Sequence, residues 1–237
     1  MLSASTTFND FGSILAHVNE NTIAIIMETV QGEGGLYPAD KDFIKKVREL
    51  CDEEGILLIL DEVQCGMGRT GSMYAFFDYD IKPDILTTAK ALGNGLPIGA
   101  FAVTNEVAGN SLVPGDHGTT YGGNPLCTAA VSQVFDMFKE YDLVKHVNEV
   151  SPYLEEILDR FVEKYDFVVG RRGKGLMQGL VLTIPVKEVV KKALLEEHLV
   201  VLSAGADVLR LLPPLVITEQ EVDIFREKLQ KVFDTFM

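Results

Sequence analysis

Apolar residues recur along this chain with two different spacings. Phe11, Ile14, Leu15 and Val18 lie at helical spacing behind Asp10, whose side chain can cap a short helix. Ile23–Met27 is a continuous, β-branched-rich run, which predicts a strand buried on both faces. The segment Gln31-Gly32-Glu33-Gly34-Gly35 follows as a turn. From about 39 to 54 the period returns to helical, with Phe43, Ile44, Val47, Leu50 and Cys51 as the inward stripe and Gly55 as the stop. Ile56–Leu60 predicts a second strand, 84–87 a third and 98–103 a fourth. Strand, helix and strand in this rhythm describe an α/β unit built on a mostly parallel sheet of about four strands.

Beyond about residue 124 the pattern changes. Helices are predicted over 124–140 and 142–165, then strands over 167–169 and 176–183. Pro185 suits the first turn of a helix that turns Val186, Val189, Val190 and Ala193 inward. Short strands follow over 199–202 and 208–212. A capping box from Thr218 to Glu221 opens a last helix that buries Val222, Phe225, Leu229 and Val232. We therefore divide the chain into a larger α/β domain, 1–138, and a smaller α+β domain, 139–237. Neither an internal repeat nor a low-complexity segment interrupts them.

Composition narrows the function classes. Of 237 residues 47% are hydrophobic, too many for a disordered chain. Thirty-five acids against 21 bases give a net charge of −14, and the bases form no stripe, so neither nucleic acid nor an anionic membrane is an expected partner. The apolar run Ile56–Leu60 is far too short to span a bilayer, and the first residues carry no basic, apolar leader pattern. Cys51, Cys65 and Cys127 form no CxxC pair, which fits a reducing, cytoplasmic setting.

Candidate chemistry sits at the strand ends. Asp61-Glu62 follows the second predicted strand, and in a parallel sheet ligand-binding groups collect at the carboxyl ends. A lone aspartate there is more often a turn residue. A lone lysine is usually a solvated charge. Lys90, however, follows the third strand among apolar residues and opens the glycine-rich run Gly93–Gly99. An acid and a lysine on neighbouring strand ends suit pyridoxal phosphate: the lysine forms the Schiff base and the acid keeps the pyridine nitrogen protonated.

Five segments carry a family resemblance: METVQGEGG (27–35), LDEVQCGMGRTG (60–71), PDILTTAKALGNGLPIGA (83–100), HGTTYGGNP (117–125) and SAGADVLRLLPPLVIT (203–218). In this order they resemble the C-terminal part of the class III pyridoxal-phosphate-dependent aminotransferases, and within them the acetylornithine aminotransferases. The resemblance implies part of a fold type I pyridoxal-phosphate transferase. It also implies transfer of the terminal amine of N-acetylornithine to 2-oxoglutarate, which leaves as glutamate. Lys90 would carry the cofactor and move the proton, and Asp61 would pair with the ring nitrogen. Val63 would pack on the ring and Gln64 would bond its hydroxyl. Thr120 would bind the cofactor phosphate of a neighbouring subunit, which implies a homodimer. Arg210 would clamp the α-carboxylate of glutamate or 2-oxoglutarate, with Glu33 masking it when the other donor binds. His117, with no second histidine nearby, reads as structural, and no metal site is expected.

Two positions depart from the family pattern. Thr29 stands where proline is usual. Cys65 stands where threonine is usual, which would place a reactive thiol beside the cofactor contacts. Family members are also longer, with the extra length before Met1 supplying a phosphate loop, a ring-covering aromatic and a second arginine. On that reading the isolated chain turns over little or nothing without an N-terminal complementing fragment, and Ile23–Met27 becomes an open apolar edge. The alternatives are another class III member, acting on ornithine, succinylornithine or 4-aminobutyrate, or a non-catalytic module that associates through that edge.

Overall fold

The computed structural model describes residues 3–237. Contacts divide it into two compact units, each treated by itself below: one formed by 3–29, 39–67 and 74–136, the other by Val30–Pro38, Gly68–Met73 and Met137–Met237. Two motif segments, 30–38 and 68–73, thus belong with the C-terminal unit although they precede residue 138 in sequence.

The first unit opens with α1 (Phe11–Leu15), capped by Asp10, whose carboxylate accepts from the Ser13 amide. Of its predicted apolar face Ile14 is buried, while Leu15 is exposed. Strand β1 (Ala24–Glu28) leads to α2 (Lys41–Glu54), then β2 (Leu57–Asp61). Helix α2 buries Phe43, Ile44, Val47, Leu50 and Cys51, the stripe its 3.6-residue period predicts. At about 1.5–3 kcal/mol for each large apolar side chain removed from water, this face is the main attachment of the helix to the sheet. Gly55 ends it in the left-handed region at φ 66°. A 3-10 turn (Ala75–Tyr79) precedes β3 (Ile85–Thr88). A second (Lys90–Leu92) precedes β4 (Ala100–Val103), followed by the short α3 (Asn105–Asn110).

These strands form one sheet in the order β1-β2-β3-β4, the first two pairings parallel and the last antiparallel. The sheet is therefore mixed. Strand β1 is not buried on both faces as its composition suggests. It lies at the sheet edge, as the family resemblance implies, and Ile26 is 66% exposed there. An apolar run reports the burial a strand is built for, and its neighbours decide the burial it has.

Helix α4 (Pro125–Glu140) carries the chain out of the first unit. The second contains α5 (Leu143–Lys164), β5 (Val168–Lys174), β6 (Met177–Leu182), α6 (Val186–Glu197), β7 (Leu202–Ala204), β8 (Val208–Leu211) and α7 (Glu219–Asp234). Its sheet is antiparallel, in the order β5-β6-β8-β7. Strand β5 runs longer than its apolar residues alone predict, because Arg171 and Arg172 extend it. Strand β7 begins three residues later than predicted, at Leu202. The capping box at Thr218 and Glu221 forms, and α7 buries Val222, Leu229, Val232 and Phe233, leaving Phe225 partly covered. Among the described residues no helix is long and apolar enough to cross a membrane.

Candidate active site

In the first unit the site residues gather at the carboxyl end of the parallel strands. Asp61 is the last residue of β2, in register with Glu28 of β1 on one side and Thr87 of β3 on the other. The next amide, Glu62 N, donates to Thr87 O at 3.0 Å and so continues the pairing one step past the strand. One carboxylate oxygen of Asp61 accepts from Val63 N at 2.9 Å, an Asx-type turn that swings Val63 and half-buried Gln64 over the strand end. The turn uses only one of the two carboxylate oxygens.

Lys90 follows β3 by two residues. It is exposed and holds φ 46°, left-handed backbone that a non-glycine residue adopts at a cost of about 1–2 kcal/mol. Such positions cluster at functional sites, where the surrounding fold holds them in place. Thr120 lies in the same unit, on a stretch from 111 to 123 in which every residue is exposed. His117 packs edge-on against Phe101, ring centroids 5.2 Å apart, and among the described residues no cluster of His, Cys, Asp and Glu could hold a metal.

Sequence patterning gave Glu62 no role, yet it organises this loop. Its carboxylate is 1% exposed and accepts from Ala75 N and Phe76 N, each at 2.8 Å. Thr29 Oγ1 donates to it at 3.4 Å and Cys65 Sγ at 3.7 Å. Burial pushes the Glu62 carboxyl above the usual glutamate range, the four donors opposing that shift without cancelling it. The residue ties the turn after β2 to the 3-10 turn at 75–79. The only sequence signal was its place beside Asp61. Cys65, expected as a reactive thiol, is fully buried. Burial against Thr29 and the Glu62 carboxylate removes it from attacking reagents.

In the second unit Arg210 and Glu33 form an ion pair. Arg210 Nη1 donates to Glu33 Oε1 at 2.6 Å and to Gly32 O at 3.3 Å. The arginine side chain is 8% exposed and the glutamate 75%, so the cation is fixed and the anion can leave into water. Arg210 lies on β8 in register with Gly179 of β6 and Leu202 of β7. The other arginine of the motifs, Arg69, is half-buried and donates to the carbonyls of Leu176 and Pro213. Burial lowers its pKa to about 10. Together with the bonds from Leu176 N to Arg69 O and from Asn148 Nδ2 to Gly71 O, it stitches 68–73 onto the second unit.

The first unit sets an acid and a lysine at adjacent strand ends, and the second encloses an arginine paired with a glutamate. Residues 3–233 match the aminotransferase class-III family, and the chain belongs to it. The members of that family depend on pyridoxal phosphate. The chain is 47% identical over 227 residues to an acetylornithine aminotransferase of Methanocaldococcus jannaschii, covering 95% of this chain and 56% of that protein. It is 44% identical over 231 residues to one of Clostridium acetobutylicum, covering 95% and 59%. The N-acetylornithine aminotransferase structure from Stenotrophomonas maltophilia superposes with a TM-score of 0.87 at 37% identity, covering 97% of this chain and 61% of that one. The fold is that of the fold type I pyridoxal-phosphate aminotransferases. The chain spans somewhat more than half the length of the curated relatives it matches.

Proposed function

We propose that this chain supplies the lysine, the ring-nitrogen acid and the carboxylate clamp of an aminotransferase that moves the terminal amine of N-acetylornithine to 2-oxoglutarate. The observation that carries the reading is the register of β2 and β3. It sets Asp61 beside Thr87, three residues before Lys90. The donor set suits the cofactor: an amine for its aldehyde, a carboxylate with one uncommitted oxygen for its ring nitrogen, and hydroxyl and amide groups for its periphery.

When bound, pyridoxal phosphate supplies an aldehyde and a protonated ring that draws electrons from the carbon bearing the reacting amine. Lys90 holds it between turnovers and, once displaced, moves the proton at that carbon through Nζ. Asp61 keeps the ring nitrogen protonated. Val63 excludes water from one ring face and Gln64 orients the ring hydroxyl. Thr120, on its wholly exposed stretch, would bind the cofactor phosphate of a neighbouring subunit, with a homodimer as the working form. Arg210 binds the α-carboxylate of 2-oxoglutarate through its planar fork. With the donor, Glu33 occupies Arg210 and keeps the cation from capturing the wrong carboxylate. N-acetylglutamate semialdehyde and glutamate are the products. The names of the similar proteins and the Arg210–Glu33 pair support this donor and acceptor.

Borohydride reduction after incubation with pyridoxal phosphate, followed by peptide mapping, tests the assignment. The label is expected on the peptide that contains Lys90 and is expected to vanish in Lys90→Ala. A label on another lysine, or one that survives that substitution, overturns it.

A further inference from the structure

Residues 30–38 form a small closed loop within the second unit, and Glu33 sits at its tip. Val30 and Pro38 bridge its base, and Gln31 N donates to Tyr37 O at 2.9 Å. The tip is held by Gly205 N, which donates to Glu33 O at 2.9 Å, and by Arg210. The far shoulder is held differently. Leu36 is fully buried and lies against Gly179 of β6, where a Cβ would fall 2.6 Å from its Cδ1. Beside it, the guanidinium of Arg172 on β5 lies 4.1 Å from the centroid of the Tyr37 ring, and its Nη1 donates to Gly35 O at 3.5 Å. Gly35 permits the stack. It holds φ 108°, and a Cβ there would sit 3.3 Å from the Tyr37 ring and 3.4 Å from Arg172 Nη1.

The exposed Glu33 carboxylate reaches Arg210 only as reliably as the loop presents it. An intramolecular anion competes with a free one through its effective concentration, which rises with the rigidity of the segment that carries it. We infer that Arg172 and Tyr37 form a latch that holds the Glu33 loop in place and thereby sets how readily Arg210 exchanges Glu33 for the carboxylate of an incoming dicarboxylate. Both are positioning residues. The inference rests on the reading of Arg210 as the carboxylate clamp.

The test is binding of glutarate, an unreactive dicarboxylate, to the full chain by calorimetry, alongside amide hydrogen exchange. A cation–ring contact at a partly exposed site is worth roughly 0.5–1 kcal/mol. Arg172→Ala and Tyr37→Leu are therefore expected to tighten glutarate binding about two- to fivefold. Tyr37→Phe, which keeps the ring face, should leave it unchanged. Exchange is expected to quicken over 30–38 and not in β6 or α7. On a Glu33→Gln background, where no anion competes, Arg172→Ala should no longer alter glutarate affinity. A merely structural role for Arg172 would lower thermal stability while leaving that difference between backgrounds absent. Tighter binding in Glu33→Gln, with Arg172→Ala leaving glutarate affinity unchanged in the otherwise native chain, overturns the latch alone. No glutarate binding by any variant, Glu33→Gln included, overturns the clamp and the latch with it. Unchanged exchange over 30–38 in both Arg172→Ala and Tyr37→Leu overturns the latch independently of binding.

Discussion

Thr29 Oγ1 lies 3.1 Å from Cys65 Sγ, and both side chains are fully buried. These are two positions at which the resemblance implies a departure from the family pattern, and the fold places them in contact. A hydroxyl absent at 65 is present at 29, and each side chain donates to the same Glu62 carboxylate. The two side chains act together as donors around one buried acid. Thr29→Val should cost about 1 kcal/mol, the net worth of a buried hydrogen bond, and Cys65→Ala a similar amount. In a double-mutant cycle read by urea unfolding the two should couple by about 0.5–1 kcal/mol. Strict additivity would show that the contact has no energetic content.

Glu62 should give a recognisable pH signature. Its folded-state pKa is raised, so between the ordinary glutamate value and the folded value the native state binds more protons than the unfolded one. Its contribution to stability is therefore present at acid pH and declines as pH rises through the folded value. Against Glu62→Gln, which does not titrate, the stability advantage of the native residue should shrink as pH rises above the ordinary glutamate value. An advantage that grows instead would mean that the four donors outweigh burial. At neutral pH the substitution should still cost about 1–3 kcal/mol, because one of the Ala75 and Phe76 amides would face an amide donor.

Asp61 serves the turn with one oxygen, and two substitutions separate that duty from ligand binding. Asparagine retains an oxygen for Val63 N, whereas alanine does not. Asp61→Asn should keep stability within about 0.5 kcal/mol and lose pyridoxal phosphate affinity. Asp61→Ala should lose both, with about 1 kcal/mol of stability. Equal cofactor affinity in the native chain and Asp61→Asn would remove Asp61 from the cofactor contacts.

Lys90 sits in left-handed backbone that glycine adopts without penalty. Lys90→Gly should therefore leave the chain as stable as before, or raise its stability by up to about 1 kcal/mol, while abolishing borohydride fixation of the cofactor. Thermal unfolding and peptide mapping on the same sample check both halves. A marked destabilisation would show that the lysine side chain is needed for packing.

The three thiols offer a direct check on burial. Cys51, Cys65 and Cys127 are all buried, and burial raises the Cys51 pKa to about 11. A thiol-reactive chromophore should react slowly with the native chain and with all three thiols once urea unfolds it. Rapid native reaction of Cys65 would return it to the role of an accessible thiol.

Local chemistry determined much of this molecule before any contact was known. The stripe of α2, the stop at Gly55 and the capping box at Thr218 depend on residues within a few positions of each other, and each forms as the pattern predicts. The motifs likewise carried the candidate site, because Asp61, Lys90, Glu33 and Arg210 stand in recognisable strings. Tertiary structure decided what depends on residues far apart. It made β4 antiparallel and joined 30–38 and 68–73 to the C-terminal unit. It also buried Cys65, made Glu62 the hub of a loop and stacked Arg172 on Tyr37 across 135 positions of sequence. The reason is physical. Periodicity and capping are set by backbone geometry over a turn or two, whereas burial and pairing are set by whichever distant side chain fills the adjoining space.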